Sequence, residues 1–365
     1  MKVWSNLGHA FELLCERSSR NDDTSVWVAR HVPEHCEPGI DHPLLPVGEQ
    51  EPGRDVSIFA IKFSSSFDEY DVLTHFAATP SSRHNLVAGQ DLRSKPINLR
   101  RQSRAGYVEA LDFGDHAGRS FFVMPNHPMT LRDLIDLGAI HRQHVEICEI
   151  VGYLLAGIDF VHSRGFMHLD LKPSNVVYLG APGGKSNYSS GSPPVRIIDF
   201  EGAYNHALHN RSTRMVPLTP AYSAPELHAG GRIGAATDLY SVGCIAYELI
   251  AGHPPFSGSS KALRRKHLYE EPSRDVLVRG GAPQVLLRVV GILMNKNPTI
   301  RRGENISLFI NALRATSRGY GAPNLGRFPT VWNAKKLRQA PGKNTGYVRV
   351  KPVREHKQTF DVRDY

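Results

Sequence analysis

The sequence predicts an α+β fold, in which a small antiparallel sheet is followed by a mainly helical part. Strand-like runs, rich in β-branched and aromatic residues, occupy residues 11–15, 25–32, 56–63, 107–114 and 119–124. Apolar residues then recur at helical spacing, and the predicted helices cover residues 143–163, 237–251, 283–294 and 305–314. Because strands come first and helices afterwards, we expect two parts with different architectures.

Shorter signals complete the prediction of elements. A short helix is predicted over residues 68–77, directly after the third strand. Thr130 begins the sequence Thr-Leu-Arg-Asp, whose spacing suits a capping box at the start of a helix. Residues 33–54 and 180–194 are rich in Pro, Gly and Ser, so we predict that both are loop insertions.

Composition is typical of a globular protein that works in a reducing compartment. Hydrophobic residues make up 41% of the 365-residue chain, and no apolar run approaches the roughly 18 residues that a membrane span requires. The four cysteines are scattered and show no C-x-x-C spacing, which argues against a disulfide framework. We therefore expect no transmembrane segment and a cytoplasmic location, or a nuclear one if the source is eukaryotic.

Positive charge is concentrated at the C-terminal end. From Ala315 onward there are 11 Lys or Arg and 3 acids, a net charge of +8 out of +9 for the chain. We predict that residues 315–365 form a flexible, solvated tail. The alternative is an electrostatic tether to nucleic acid, an acidic protein or an anionic membrane, and the aromatic residues of this stretch could also pack back on the domain.

The residues with the clearest chemistry lie on one short segment, His-Leu-Asp-Leu-Lys-Pro-Ser-Asn, at positions 168–175. It places a carboxylate (Asp170), an ammonium (Lys172) and a carboxamide (Asn175) at fixed offsets. Phosphoryl transfer needs these three groups: one to orient or deprotonate the attacking hydroxyl, one to neutralise the moving phosphoryl group and one to hold a magnesium ion. The segment therefore indicates a phosphotransferase.

Four further motifs follow in order along the chain. They are VRIIDFE at 195–201, TPAYSAPE at 219–226, DLYSVG at 238–243 and NPTIR at 297–301. Together with residues 168–175 they resemble, in the same order, the motifs of the eukaryotic-type Ser/Thr protein kinases, of which this chain looks like a divergent member. Five motifs in family order make coincidence very improbable.

The resemblance implies a two-lobed protein-kinase-like domain over residues 1–314. The N-lobe would cover about 1–125 with its small antiparallel sheet, and the mainly helical C-lobe about 128–314, with ATP between the lobes. The resemblance also implies Mg²⁺ (or Mn²⁺) as cofactor and protein substrates as partners. The expected reaction is the transfer of a phosphoryl group from ATP to Ser or Thr hydroxyls.

Specific roles follow from the same resemblance. Asp170 would be the catalytic base with Lys172 beside it, whereas Asn175 and Asp199 would be the oxygen ligands of the metal. Lys172 is typical of kinases that act on Ser and Thr. Thr219 would bridge Asp170 and Lys172, which supports the same specificity.

ATP binding would also involve residues of the first part. Lys62, in Ala-Ile-Lys, is the candidate for the lysine on the ATP phosphates, and Glu69 for its partner. Only seven positions separate them, so Glu49 or Asp68 stay open as partners, and Arg30 is a weaker rival for the lysine. The connector between the lobes would provide Met124, Asn126 and His127, the backbone of the last two facing adenine.

Three other family residues would be structural. Glu226 and Arg301 would form a buried ion pair, and Asp238 would hold the backbone of the catalytic loop through N–H groups. All three roles come from the resemblance alone.

The chain also departs from the family at three places. Glu201 replaces a Gly, Leu169 replaces an Arg, and the glycine-rich loop is absent, with Leu7 to Phe11 as its nearest match. These departures support the alternative of a pseudokinase that acts as a nucleotide-binding or scaffold protein. A small-molecule kinase is a third alternative, which the peptide-docking motif at 219–226 disfavours.

Overall fold

The structure, a computed structural model, describes most of the chain outside the predicted insertions. The described residues are 1–5, 9–21, 24–32, 58–64, 69, 72–73, 112–127, 129–180, 194–205, 219–333 and 348–349. Apart from Gly180 and Pro194, the predicted insertions at 33–54 and 180–194 lie outside the described residues.

The chain divides into two compact units. The first consists of Met1–Ala139, Ala156–Arg164 and Pro173–Ala203, and the second of Ile140–Leu155, Gly165–Lys172 and Tyr204–Tyr365. The division therefore differs from the predicted lobe boundary near residue 125. Each unit includes segments that are distant in the sequence, which a single cut along the chain does not describe.

A six-stranded sheet with the order β1-β2-β3-β4-β6-β5 is the centre of the first unit. Every neighbouring pair is antiparallel. The strands are β1 (Lys2–Trp4), β2 (Ala10–Asn21), β3 (Thr24–His31), β4 (Ile58–Ser64), β5 (Asp112–His116) and β6 (Arg119–Pro125). The predicted antiparallel sheet is confirmed, and β1 is a strand that the sequence analysis missed.

Side chains alternate along β4, so its apolar core residues lie on one face of the sheet and the site residue Lys62 lies on the other. Phe59, Ile61 and Phe63 are buried on one face, in a cluster that also includes Phe11 and Phe121. Because successive side chains point to opposite faces of a strand, Lys62 lies on the other face. It is opposite Val26 on β3 and Phe122 on β6 and is nevertheless only 6% exposed.

The register also shows which connection precedes the lysine strand. Residues 9–11, the end of the predicted match to a glycine-rich loop, lie before or at the start of β2, where Ala10 pairs with Trp4 of β1. The hairpin immediately before β4 is β2–β3, whose last pair is Asn21 with Thr24. The match of Leu7 to Phe11 to the start of a glycine-rich loop stays a prediction.

The rest of the first unit includes one capped helix and one small sheet. Helix α1 (Leu131–Asp136) begins with Thr130, whose hydroxyl accepts the N–H of Asp133 while the Asp133 carboxylate accepts the N–H of Thr130. The predicted capping box is confirmed. Strands β8 (Val176–Tyr178) and β9 (Val195–Ile197) pair antiparallel. Of the helix predicted at 68–77, the structure describes residues 69, 72 and 73, all helical.

The second unit is mainly helical, as predicted. Among its described residues, the helices are α2 (His144–Ser163, shared with the first unit), α3 (Pro225–Ala229), α4 (Ala235–Ala251), α5 (Ser260–Tyr269), α6 (Arg274–Arg279), α7 (Gln284–Leu293) and α8 (Ile306–Ser317). Its short strands are β7 (Phe166–Met167), β10 (Tyr204–Asn205), β11 (Arg232–Ile233) and β12 (Val348–Arg349), paired β7 with β10 and β11 with β12. The predicted α+β fold class is confirmed.

Three of these helices, α3, α5 and α6, were not predicted. Helix α5 has the sequence SKALRRKHLY, in which Leu263 and His267 are the buried residues. A helix with so few apolar side chains has almost no periodic signal, and its clearest sequence mark is the N-cap Ser259.

The predicted domain boundary at residue 314 needs correction, because the chain continues to pack well beyond it. Helix α8 ends at Ser317, and residues 319–333, here called the C-terminal strap, lie against α7. The guanidinium of Arg288 donates to the carbonyl oxygens of Leu325 and Phe328, at 2.9 and 3.0 Å. The Val331 N–H donates to the Gly291 carbonyl at 2.7 Å.

Side chains of the strap are buried as well. Leu325, Thr330 and Val331 are 2%, 5% and 3% exposed. The indole N–H of Trp332 donates to the Pro272 carbonyl at 2.8 Å. The strap is therefore part of the second unit, and the prediction of a flexible tail fails for these residues. Except for Val348 and Arg349, residues 334–365 lie outside the described residues.

Candidate active site

In the first unit, the predicted site residues meet around the ammonium group of Lys62. Its Nζ lies 2.5 Å from Glu69 Oε2, 2.7 Å from Asp199 Oδ1 and 3.6 Å from Glu201 Oε2. The short separation between Lys62 and Glu69 does not prevent pairing, because the helical segment begins within a few residues of the strand end at Ser64. Of the alternative partners, Glu49 and Asp68 lie outside the described residues.

The charges in this cluster shift one another's pKa. Burial by itself would lower the pKa of Lys62, but the carboxylates of Glu69 and Asp199 outweigh burial, so its pKa is raised and the ammonium stays charged. Burial raises the pKa of Glu69, and the nearby Asp199 raises it further, against the opposing effect of Lys62. Among the described residues, the cluster therefore holds more carboxylates than its one cation balances. Arg30, the rival for the lysine, instead pairs with Glu12 on the neighbouring strand.

The segment that follows β9 holds Asp199 in an unusual backbone conformation. Asp199 has φ 66° and ψ 67°, in the left-handed region that Asp tolerates better than most residues. A short 3₁₀ turn, Phe200–Gly202, follows directly. The Phe200 N–H donates to Glu69 Oε1 at 2.9 Å, and the Phe200 ring is 1% exposed. The loop is thus attached to the Lys62–Glu69 pair through backbone as well as side chain.

Asn175 lies beside this loop because of the pairing of β8 with β9. Val176 is opposite Ile197, and the Ile198 N–H donates to the Asn175 carbonyl at 3.0 Å. Asn175 therefore precedes β8 at the same end of the strand pair at which Asp199 follows β9. Asn175 is 2% exposed.

The donor set of this cluster fits a hard divalent cation. Among the described residues, one carboxylate oxygen from each of Glu69, Asp199 and Glu201 lies within 4.8 Å of the other two. Carboxylate and carboxamide oxygens are the donors that Mg²⁺ prefers. The carboxylates of these three residues outnumber the single ammonium of Lys62, so a cation would also balance their charge.

In the second unit, the predicted base Asp170 binds a hydroxyl. The Thr219 hydroxyl donates to Asp170 Oδ1 at 2.5 Å, and Lys172 Nζ donates to the same hydroxyl oxygen at 3.3 Å. Lys172 Nζ also lies 3.1 Å from Asp170 Oδ2. The bridge that the sequence predicts for Thr219 is present. A hydroxyl can therefore be held between a carboxylate and an ammonium at this place.

The loop that carries Asp170 is positioned by Asp238, in the first turn of α4. The N–H groups of His168 and Leu169 donate to the two carboxylate oxygens of Asp238, at 2.9 and 2.8 Å. Asp238 is fully buried, and these charge-assisted bonds provide its compensation. The backbone contact predicted for Asp238 is thus present.

Leu169, which replaces the usual Arg of the motif, is an apolar anchor. It has a φ of 66° and is 4% exposed. Its side chain packs in a cluster with Tyr204, Leu227 and Ile233. An apolar side chain in such a cluster cannot make the charge-assisted hydrogen bonds through which an Arg would bind a phosphate.

Glu226 and Arg301 form the predicted buried ion pair. The Arg301 Nη2 group donates to both carboxylate oxygens of Glu226, at 2.6 and 2.8 Å. The remaining nitrogens of this fully buried guanidinium donate to the carbonyls of Ala236 and Asn295. All three guanidinium nitrogens therefore have acceptors.

The connector from β6 to α1 includes a contact that the sequence analysis missed. An Arg17 guanidinium nitrogen donates to the His127 carbonyl at 2.6 Å and lies 3.4 Å from Asn126 Oδ1. Burial, Arg196 and Arg17 together lower the pKa of His127 to about 4, so its imidazole is neutral. Met124 is the residue opposite Ala60 on β4. The predicted contact of these residues with adenine stays a prediction, and nothing in the sequence near Arg17 indicates its partner.

Comparison with known proteins agrees with this geometry. A family model described as "Protein kinase domain" matches residues 103–299, more than half of the chain. The chain belongs to the protein kinase family. The match includes the segments with Asp170, Asn175 and Asp199. Lys62, Glu69 and Arg301 lie outside it, and the structure, not the match, connects them with the family pattern.

Curated relatives are named as Ser/Thr kinases. The chain is 31% identical over 204 residues to the DNA damage-responsive serine/threonine-protein kinase RqkA of Deinococcus radiodurans, over 54% of this chain and 29% of that protein. It is 31% identical over 176 residues to serine/threonine-protein kinase PknB of Mycobacterium leprae, over 47% of this chain and 26% of that protein. With PknL of Mycobacterium tuberculosis the identity is 27% over 224 residues, over 59% of this chain and 53% of that protein.

These matches define what the kinase comparison covers. The matched region spans less than a third of RqkA and PknB, so it relates the kinase regions and not the whole proteins. Separately, no helix within the described part of the chain has the length and apolar character needed to cross a membrane.

Proposed function

We propose that the chain is an active protein Ser/Thr kinase, which transfers the γ-phosphoryl group of ATP to Ser or Thr hydroxyls of protein substrates. The observation that carries this proposal is the hydroxyl of Thr219, bound by the Asp170 carboxylate and next to the Lys172 ammonium. An acceptor hydroxyl needs the same two groups: one to orient it and accept its proton, and one to stabilise negative charge.

Asp170 would act on the acceptor side of the reaction. Its carboxylate would accept a hydrogen bond from the substrate hydroxyl and take its proton as the new O–P bond forms and the bond between the γ-phosphorus and the departing ADP breaks. Lys172 would stabilise the charge that develops on the transferred group. The two backbone N–H bonds from the loop to Asp238 keep Asp170 in place without drawing on its own carboxylate.

Residues of the first unit would act on the nucleotide. Lys62, held by Glu69, would contact phosphate oxygens of ATP. Asn175 and Asp199 have the donor chemistry to hold Mg²⁺, which would supply positive charge to neutralise the phosphates. Most of the catalytic effect in such a reaction comes from positioning and electrostatics, which suits a site built from fixed charges.

The alternative of a pseudokinase has less support. The chain keeps every charged group that the reaction needs, and the two pairs that would be lost in a decayed site, Lys62 with Glu69 and Asp170 with Lys172, are both formed. The relatives that match the chain are named as kinases. An electrostatic partner for the basic residues 334–365 and a cytoplasmic location stay predictions from the sequence.

The proposal is tested by phosphoryl transfer from radiolabelled ATP to protein substrates, with Mg²⁺ or Mn²⁺, followed by identification of the phosphorylated amino acid. Asp170→Asn keeps the size of the side chain and removes the base. We expect it to lower transfer by about 10²–10⁴-fold.

The matched control is Asp136→Asn, at an exposed carboxylate of α1 whose ion pair is with Arg132, and it should transfer as wild type does. Equal transfer by wild type and Asp170→Asn would reject the kinase assignment, and label on small molecules alone would support the third alternative.

A further inference from the structure

Lys62 has three N–H donors, and three carboxylates surround them. Glu69 and Asp199 take two donors at 2.5 and 2.7 Å. Glu201 approaches the same nitrogen at 3.6 Å, within ion-pair distance but beyond a normal hydrogen bond. A phosphate oxygen that contacts Lys62 would therefore come close to the Glu201 carboxylate and compete with it for the ammonium.

The three carboxylates are not equally replaceable. Glu69 is fixed twice, by Lys62 and by the Phe200 N–H, and its side chain is 3% exposed. Asp199 is 11% exposed and lies in a constrained left-handed conformation. Glu201 is 35% exposed and has the longest separation from Lys62. It is thus the most exposed of the three carboxylates and the one farthest from the ammonium.

The backbone of Glu201 is held even though its carboxylate is exposed. It lies in the middle of the 3₁₀ turn Phe200–Gly202, which the Ala203 N–H closes by donating to the Phe200 carbonyl at 2.9 Å. The neighbours on both sides, Phe200 and Gly202, are buried. The turn therefore keeps the Glu201 side chain within reach of Lys62, and movement of the side chain alone can make or break the contact.

We propose that Glu201 is a positioning residue that faces Lys62 at ion-pair distance and gives up this contact to a nucleotide phosphate. This inference rests on the proposed function, because it assigns Lys62 to ATP. Glu201 and the phosphate are both anions, so they compete for the same ammonium and also repel each other. The residue that replaces a Gly of the family pattern thereby lowers the affinity for nucleotide without removing any group that the reaction needs.

The test is equilibrium binding of a fluorescent ATP analogue to the full chain, measured with Mg²⁺ and again with EDTA. Glu201→Gln keeps the shape and removes the charge, and we expect it to bind the analogue about two- to tenfold tighter in both conditions, since a partly exposed ion pair is typically worth up to about a factor of five and like-charge repulsion adds to it. Glu201→Asp keeps the charge on a shorter side chain and should bind between the two. Asp136→Asn, the matched control, should bind as wild type does.

Kinetic constants separate competition from a merely structural role. If Glu201 competes with phosphate, Glu201→Gln lowers the KM for ATP in proportion to the gain in affinity and leaves the melting temperature nearly unchanged. Equal or weaker binding by Glu201→Gln would overturn this inference while the proposed function stands. A failure of wild type and every variant to bind the nucleotide would overturn the proposed function itself.

Discussion

Two buried ion pairs, one in each unit, differ in how completely their charges are matched. The pair of Arg301 with Glu226 is closed: one cation meets one carboxylate, all three guanidinium nitrogens have acceptors, and Arg301 is fully buried. The cluster around Lys62 is open. One cation meets three carboxylates at unequal distances, and one of these carboxylates is 35% exposed.

The difference indicates what each pair is for. A closed pair repays the cost of its burial only with its full set of partners, so it fixes structure and tolerates no exchange. An open cluster carries excess negative charge and one carboxylate that is more exposed and farther from the cation, so a cation or a phosphate can enter by replacing or neutralising a partner. The comparison therefore assigns stability to the Arg301 pair and ligand exchange to the Lys62 cluster.

Arg301→Met should give the largest loss of stability. The substitution leaves the Glu226 carboxylate buried without its cation, and removing one partner of a buried pair costs about 3–5 kcal/mol. Urea unfolding, followed by circular dichroism, measures the free energy of unfolding. The control is Arg302→Met at the next position, where the guanidinium is exposed and donates to the Thr299 carbonyl; its effect should be within about 0.5 kcal/mol. Similar losses for both variants would contradict the closed character of the Arg301 pair.

Gly291→Ala tests the packing of the C-terminal strap next to the closed pair. An added Cβ at Gly291 would lie 2.6 Å from Trp332 Cζ3 and 2.8 Å from Thr330 Cβ, so the strap must shift. Helix α7, which carries Gly291, leads into Asn295, whose carbonyl accepts from Arg301. We expect a loss of about 1–3 kcal/mol in the free energy of unfolding, the usual cost of overpacking.

Gly152→Ala is the matched control, since it places the same methyl group in helix α2. An added Cβ there meets only Leu313 Cβ, at 3.9 Å, which is an ordinary contact. Because Ala favours a helix over Gly, this variant should be unchanged or more stable by up to about 1 kcal/mol. Equal stability of the two variants would mean that the strap does not pack on α7 as described.

Contacts between residues close in sequence, or within one motif, could be predicted, whereas contacts that depend on tertiary placement could not. The fixed offset of Asp170 and Lys172 and the spacing of Thr130 and Asp133 are local properties, and both pairs form as expected. Motif order also placed Thr219 beside Asp170. Arg17 and His127 are 110 positions apart, and neither belongs to a motif, so only the folded sheet brings them together.

The same reasoning explains the error over the strap. Residues 319–333 contain three Gly and two Pro and belong to the basic stretch that begins at Ala315, features that favour a flexible tail. Their attachment depends on the buried side chains of Leu325 and Val331 and on the indole of Trp332. It also depends on the guanidinium of Arg288, which donates hydrogen bonds to three carbonyl groups of the strap. Composition is an average over the whole segment, so it cannot predict packing that depends on a few widely spaced side chains.

Apart from the control variants, the smallest effect on stability is expected for Asp199→Asn, although this variant also removes a charge from a buried ion pair. Lys62 keeps Glu69 and Glu201 as partners, and removal of one of three carboxylates relieves their mutual repulsion. The change in the free energy of unfolding should be within about 1 kcal/mol, against about 3–5 kcal/mol for the closed pair.

The pKa of Glu69, which Asp199 helps to raise, should fall toward its ordinary value in Asp199→Asn. A raised pKa of a buried acid means that stability falls as the pH rises from about 4.5 toward the folded pKa, so the variant should lose less stability over that interval.

Nucleotide binding should respond to Asp199→Asn more strongly than stability does. Mg²⁺ should strengthen the binding of ATP to wild type and have little effect on Asp199→Asn. A loss of several kcal/mol would show that the Lys62 cluster depends on each of its partners as strongly as the Arg301 pair does. That result would contradict the assignment of ligand exchange to the cluster.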